Sequence, residues 1–179
     1  MELWDVELWD VYDDSRNKTG KTHMRGRRLS CGENHIVIGV ILYSPQGEIL
    51  ITRRSPEKRS DPGKWENTAG CVLAGESSRQ GALRELREET GIELNSGELG
   101  YLCSRTVKNC FVDIYIAEIE IAIGDLVFQP GETCGARWIS FEEWKELLCK
   151  KDVVFAVKNE FEEFAERVSR YMAAPENIT

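Results

Sequence analysis

Gly70-Cys71-Val72-Leu73-Ala74-Gly75-Glu76-Ser77-Ser78-Arg79-Gln80-Gly81-Ala82-Leu83-Arg84-Glu85-Leu86-Arg87-Glu88-Glu89-Thr90-Gly91-Ile92 is the stretch on which the fold turns. Ser77 followed three residues later by Gln80 is a capping box, and Gly91 suits the left-handed position just past a helix end. A helix over about 78–90 is therefore bounded at both ends. At about 100° per residue, with Glu85 at 0°, Glu89 falls near +40° and Glu88 near −60°, so three carboxylates share one arc. Ala82, Leu86, Thr90 and Leu83 fall between about 60° and 160°, the adjacent face that can pack on a sheet. Like charges at these spacings cost an isolated helix ~0.2–0.5 kcal/mol per pair, and Glu88 and Glu89 also crowd the negative end of the helix dipole. Two remedies are open: Arg84 and Arg87 can neutralise the cluster in a structural network, or a divalent cation can bind the oxygens. Carboxylates without a nearby His or Cys favour Mg²⁺ or Mn²⁺ over zinc.

Outward from this helix the chain alternates strands and helices. The β-branched run from His35 to Tyr43 reads as a strand buried on both faces. Ser44-Pro45-Gln46-Gly47 turns it into a second strand, Glu48–Thr52, ending at Arg53 and Arg54. Further strands are expected at Gly100–Val107, Phe111–Ile121 and Ala136–Ile139. A short helix is expected at Phe141–Cys149, and Val157, Phe161, Phe164, Ala165, Val168, Tyr171 and Met172 form the apolar stripe of a last one. This pattern implies an α/β sandwich with a mixed sheet. Residues 1–32 read as an N-terminal strand or hairpin extension, 33–150 as the core, and 151–179 as a C-terminal helix packed on the same domain. The direct repeat Glu2–Val6 and Glu7–Val11 has too short a period for a solenoid unit. Asp13–Gly20 reads as a turn; it starts like a calcium loop, but Lys18 and Met24 stand where a glycine and a bidentate glutamate are required.

With 23 Lys/Arg against 31 Asp/Glu the chain carries a net charge of −8, and 41% of its 179 residues are hydrophobic, enough for one packed domain. The charge is unevenly spread: residues 15–64 hold eleven basic and four acidic side chains, a net of +7, leaving −15 elsewhere. Such a split suggests a basic region that receives an anion. The six cysteines are scattered without a Cys-x-x-Cys pair, which argues against a thiolate zinc site. Neither a secretion signal nor a run of ~18 apolar residues is present, so a cytoplasmic protein with no membrane partner is expected. Arg25-Gly26-Arg27-Arg28 is a short basic run without interleaved aromatics, so no nucleic-acid partner is expected either. The N-terminal strands could pair within the chain or with a copy, leaving monomer or homodimer open.

The central segment resembles the Nudix box, G-x5-E-x7-R-E-U-x-E-E-x-G-U with U aliphatic: Gly70, Glu76, Arg84, Glu85, Leu86, Glu88, Glu89, Gly91 and Ile92 fill every fixed position. The resemblance implies a Nudix-type α/β/α sandwich and a Mg²⁺-dependent pyrophosphohydrolase, with Mn²⁺ as a possible substitute, that cleaves the diphosphate linkage of a nucleoside diphosphate derivative or similar small molecule. By the same resemblance Glu85, Glu88 and Glu89, with the carbonyl of Ala69, hold the metal. Glu76 and Arg84 orient those carboxylates, and Glu89 or Glu132 serves as the catalytic base.

Outside the box, Ile51–Lys58 and Pro62–Asn67 resemble the branch related to isopentenyl-diphosphate isomerase, which implies diphosphate contacts at Arg54 and Lys58, with Arg53 a further candidate. Two alternatives follow from the resemblance. An isomerase would carry a cysteine directly before Gly70, where Ala69 stands, and a histidine where Cys71 stands, although His35 matches another of its histidines. A non-catalytic nucleotide sensor would typically lack a box glutamate, and all are present. Trp65, Asn67 and Phe111 are candidates to line a pocket or to belong to the core.

Overall fold

The computed structural model describes residues 7–150, 153–154 and 161–174. In chain order the elements are β1 (Leu8–Tyr12), β2 (Lys18–Met24), β3 (His35–Tyr43), β4 (Ile49–Arg54), β5 (Trp65–Glu66), β6 (Thr68–Cys71), α1 (Ser78–Thr90), β7 (Gly100–Val107), β8 (Cys110–Glu118), β9 (Thr133–Ile139), α2 (Phe141–Cys149), β10 (Val153–Val154) and α3 (Phe161–Ala173). Strands β1 and β2 pair as a separate antiparallel hairpin, and the rest form one mixed sheet in the order β10-β5-β4-β3-β8-β7, with β6 on β3 and β9 on β4.

Strand β3 is central because both its faces are apolar. It runs parallel to β8 along its whole length. Ile36, Ile38, Val40 and Leu42 pack toward Ala82 and Leu86 of α1, while Ile41 and Tyr43 pack toward Trp144 of α2 and Phe164 and Val168 of α3. The period-2 alternation of a strand thus feeds two cores, one on each side of the sheet. This is an α/β/α sandwich.

The elements differ from the sequence expectations in three places. Strand β8 stops at Glu118, so Ile119 and Ile121 fall beyond it, and its alternation marks two buried faces rather than one. Strand β9 starts at Thr133, ahead of the expected Ala136. The β3–β4 hairpin is only two pairs long, Leu42↔Leu50 and Tyr43↔Ile49. Beyond those pairs β4 diverges, turning the same edge to β5 with β9 along its other edge throughout, and β6 takes its place against Val37–Val40 of β3. That divergence opens the sheet at one end. The expected stripe of the last helix is present in Phe164, Ala165, Val168 and Tyr171, all buried, while Val157 and the Phe161 side chain lie outside the described residues, as does the first copy of the N-terminal repeat.

Docking of the β1–β2 hairpin brings it beside the loop that precedes α1. The Leu8 carbonyl accepts from Ala74 N at 2.7 Å, and Asp10 Oδ2 accepts from Gly75 N at 3.0 Å. Tyr12 and Asn34 exchange backbone hydrogen bonds of 2.8 Å in both directions. Arg16, at the hairpin turn, reaches buried Asp113 of β8 and donates to Ser104 Oγ at 2.7 Å.

Candidate active site

Helix α1 begins and ends as its sequence dictates. Ser77 Oγ accepts from Gln80 N at 3.3 Å while Gln80 Oε1 accepts from Ser77 N at 2.8 Å, closing the capping box. Gly91 takes φ 74° and donates to the Arg87 carbonyl at 2.9 Å. With Ala82, Leu86 and Thr90 facing the sheet, the three glutamates grade across the helix surface in the order their angles require. Glu89, next to the buried stripe, is 4% exposed; the Glu85 side chain is 16% exposed and that of Glu88 40%.

Arg84 ties this face together. Its Nε donates to Glu76 Oε1 at 2.8 Å, and its terminal nitrogens donate to the Cys71 carbonyl at 2.9 Å and to Glu85 and Glu88 at 3.0 Å each. Glu76 in turn accepts from Leu73 N at 3.0 Å, so one arginine and one glutamate lock the Gly70–Glu76 loop onto the helix. Of the two arginines able to neutralise the cluster, Arg84 does so, whereas Arg87 is exposed. In this arrangement no group of three or more His, Cys, Asp or Glu side chains among the described residues has metal-binding spacing.

The Glu face opens on a cavity of about 410 Å³ at the divergence of β4 from β3. Its floor is Val37, Ile38, Gly39 and Ile114, its rim on the β6 side is Ala69, Gly70 and Cys71, and four cations line it: Arg25, Arg54, Lys58 and Arg84. Arg54 donates to Glu66 Oε2 at 2.6 Å, an ion pair with side chains 10% and 3% exposed. Lys58 pairs with Glu132, and Arg25 pairs with Glu7.

Three features suit this site to a hard divalent cation. The donors are oxygens only. Glu89 Oε2 is buried without a hydrogen-bond partner, and burial, reinforced by the charges of Glu66 and Glu85, pushes its pKa up to about 8. Burial likewise raises Glu85, with Arg84 pulling it back. Gly70 supplies the cradle: a Cβ there would stand 2.0 Å from Glu85 Cδ, so only glycine lets that carboxylate lie against the loop. A carboxyl buried as that of Glu89 is stays neutral unless a cation meets it, and its unpartnered oxygen is left for such an ion.

A NUDIX domain model matches residues 33–157. The chain belongs to the Nudix family. It is 36% identical over 143 residues to a Nudix hydrolase of Listeria monocytogenes, spanning 79% of this chain and 85% of that one. It is 31% identical over 144 residues to an isopentenyl-diphosphate Delta-isomerase of Paenarthrobacter aurescens, spanning 75% and 77% of the two. A crystal structure from Deinococcus radiodurans superposes with a TM-score of 0.71 at 24% identity, covering 90% of this chain and 99% of that one, which supports the same fold. The Nudix relatives make this chain a hydrolase of diphosphate bonds.

In this Nudix chain the box residues Glu76, Arg84, Glu85, Glu88 and Glu89 come together with Ala69, Arg54, Lys58 and Glu132 around the cavity, apart from Glu76, which stands behind Arg84. Arg53 does not line it. Consecutive strand residues face opposite ways, and Arg53 instead donates to the Gly63 carbonyl at 3.1 Å and lies over Trp65. Asn67 belongs to the core, donating to the Leu50 carbonyl at 3.2 Å and accepting from Trp144 Nε1 at 3.0 Å. Phe111 is buried beneath the Arg16 guanidinium. Sequence reasoning missed three of the charged lining residues: Glu66, Glu7 and Arg25. Glu66 was readable as the polar partner that a buried Arg54 requires; Glu7 and Arg25 arrive only through docking of the hairpin.

Proposed function

We propose that this chain is a Mg²⁺-dependent pyrophosphohydrolase, with Mn²⁺ able to substitute, that cleaves the diphosphate linkage of a nucleoside diphosphate derivative or similar small molecule in the cytoplasm, as a monomer or homodimer. The observation that carries this reading is the unpartnered, buried Glu89 oxygen beside Glu85 in a cavity lined by Arg and Lys. Glu85, Glu88 and Glu89, with the Ala69 carbonyl, would hold the metal. When bound, the ion would neutralise phosphate oxygens and activate a water for attack on phosphorus. Arg84 and Glu76 keep the carboxylates aimed at the cavity through the hydrogen bonds described above. Arg54 and Lys58 offer charge-assisted hydrogen bonds to the diphosphate. A carboxylate accepts the proton of the attacking water, and two are in place: Glu89, and Glu132, which Lys58 holds at the rim.

The isomerase relative calls for weighing a second reading. The position before Gly70 is Ala69, and the Cys71 thiol, two residues on, is driven up to about 12 by burial. His35 stacks on Trp9 rather than lining the cavity. These placements favour hydrolysis over proton transfer at carbon. Incubation with Mg²⁺ and a panel of diphosphate compounds tests the proposal. Phosphate-containing products that disappear in Glu89→Gln support it, and activity retained in Glu132→Gln removes Glu132 as the base. No turnover of any compound would favour a sensor.

A further inference from the structure

Besides Arg84 of α1, the cavity draws its cations from two separate parts of the chain. Arg54 and Lys58 come from the end of β4 and the loop after it; Arg25 comes from the N-terminal hairpin, just past β2. Arg25 is held there by its backbone, whose N–H donates to the Glu7 carbonyl at 2.9 Å, one step beyond the last Leu8↔Met24 pair. The hydrogen bonds from Ala74 and Gly75 to Leu8 and Asp10 fix that end of the hairpin against the Gly70–Glu76 loop. Its guanidinium lies near enough to Glu85 for that charge to bear on it, and its own charge bears on Lys58.

The cation–carboxylate pairs of the cavity differ in burial, those of Arg54 and Arg25 most. Arg54–Glu66 is enclosed and acts as fixed framework. In Arg25–Glu7 the side chains are 54% and 36% exposed, with both Glu7 oxygens on one guanidinium nitrogen at 2.6 and 2.7 Å. An exposed pair contributes little to stability and exchanges readily for another anion. A guanidinium also matches phosphate oxygens better than an ammonium does, through its planar fork of donors.

Resting on the pyrophosphohydrolase reading, we infer that Arg25 is a substrate-binding residue that takes a phosphate oxygen of the diphosphate, and that Glu7 is its resident counter-ion, displaced when the substrate enters. The N-terminal hairpin thereby becomes one wall of the substrate site. Glu7 lowers affinity for anions by competing for Arg25, and Arg25 acts on binding more than on the chemical step.

The test measures binding of methylenediphosphonate, a diphosphate that cannot be hydrolysed, in the presence of Mg²⁺ by calorimetry, alongside KM and kcat on the best substrate of the panel and the melting temperature of each protein. Arg25→Gln should weaken binding and raise KM about tenfold with kcat changed less than about threefold, the loss of one charge-assisted contact. Glu7→Gln should tighten binding. Lys21→Gln, which removes a hairpin charge paired with Glu33 outside the cavity, should change neither. Binding by Arg25→Gln within twofold of the wild type at an unchanged melting temperature would overturn the inference, as would equal weakening by Lys21→Gln, which would mean general attraction only. If the wild-type protein neither binds the probe nor turns over any diphosphate, the hydrolase reading itself fails, and the role of Arg25 with it.

Discussion

Glu89 is held in a state that favours function over stability. Its Oε2 has no partner among the surrounding groups, and Glu66 and Glu85 add like charge to the cost of burial. Burial holds the metal-free carboxyl protonated near neutral pH, where the unfolded chain ionises it, and Glu89→Gln removes that cost while keeping the shape. The metal-free variant should therefore unfold at higher urea than the wild type, by about 1–3 kcal/mol, while its hydrolytic rate falls by two orders of magnitude or more. Equilibrium unfolding and steady-state kinetics on the same preparations check both halves, and a variant that loses stability with activity would contradict the account. His35 supplies a second residue-scale prediction. It is 6% exposed, stacked on Trp9 at 4.1 Å, with its Nε2 3.0 Å from Cys110 Sγ and its Nδ1 buried without a partner. Burial, then the charge of His23, lowers its pKa to about 4 from 6.5. Below 6.5 the unfolded chain takes up a proton that the native ring refuses until about pH 4. Stability from this group is thus complete above pH 6.5 and is lost as pH falls toward 4, by about 3 kcal/mol in all. Urea titrations at pH 7 and 4.5 should show that loss in the wild type and a correspondingly smaller one in His35→Phe, which keeps the ring stack.

At the scale of elements, Arg16 and Asp113 form the buried ionic link between hairpin and body, beside the backbone bonds at Leu8, Asp10 and Tyr12. The Asp113 side chain is 2% exposed and accepts from Arg16 and from Ser78 Oγ at the start of α1, so one carboxylate joins hairpin, sheet and helix. Arg16→Gln leaves that carboxylate without its counter-charge and should cost about 2 kcal/mol or more; combined with Asp113→Asn, the total should be clearly less than the sum of the two single losses. A double-mutant cycle by urea unfolding measures this. Neither residue stands out in the sequence, because their contact spans 97 positions and depends on how the hairpin docks. Local signals were read more successfully. The capping box and Gly91 place α1 at its observed ends, and the β-branched run places β3, because in each case the determinants lie within the element. The length of the β3–β4 hairpin was not readable, since β6 takes the edge of β3 and β5 that of β4, both from the segment that follows the loop after β4. Arg53 and Arg54 sit between these cases: adjacent residues on a strand must face apart, and only Arg54 turns to the cavity.

Across the whole molecule, the uneven charge acquires a structural meaning. Arg25, Arg54 and Lys58, all from the basic segment, face Glu85, Glu88 and Glu89 from the acidic remainder across one cavity. On the proposed reading, a negatively charged chain presents a basic wall to an anionic substrate and an acidic wall to a cation beside it. The box spacing alone gathers the acidic wall on one helix face, while the basic one needs the divergence of β4 from β3 and the docking of the hairpin. If the second wall holds Mg²⁺ as proposed, the folded state binds an ion that the unfolded chain does not, and stability must rise with its concentration. At one hundred times the dissociation constant the gain is about 2.7 kcal/mol, and for a chain of this size about 5–10 °C in melting temperature. The rise should follow Mg²⁺ or Mn²⁺ at constant ionic strength and be largely absent in Glu89→Gln, because NaCl screens surface charge but cannot fill the space between Glu85 and Glu89. A thermal shift that NaCl reproduces, or that survives unchanged in Glu89→Gln, would place the ion on the diffuse acidic surface instead of the helix face.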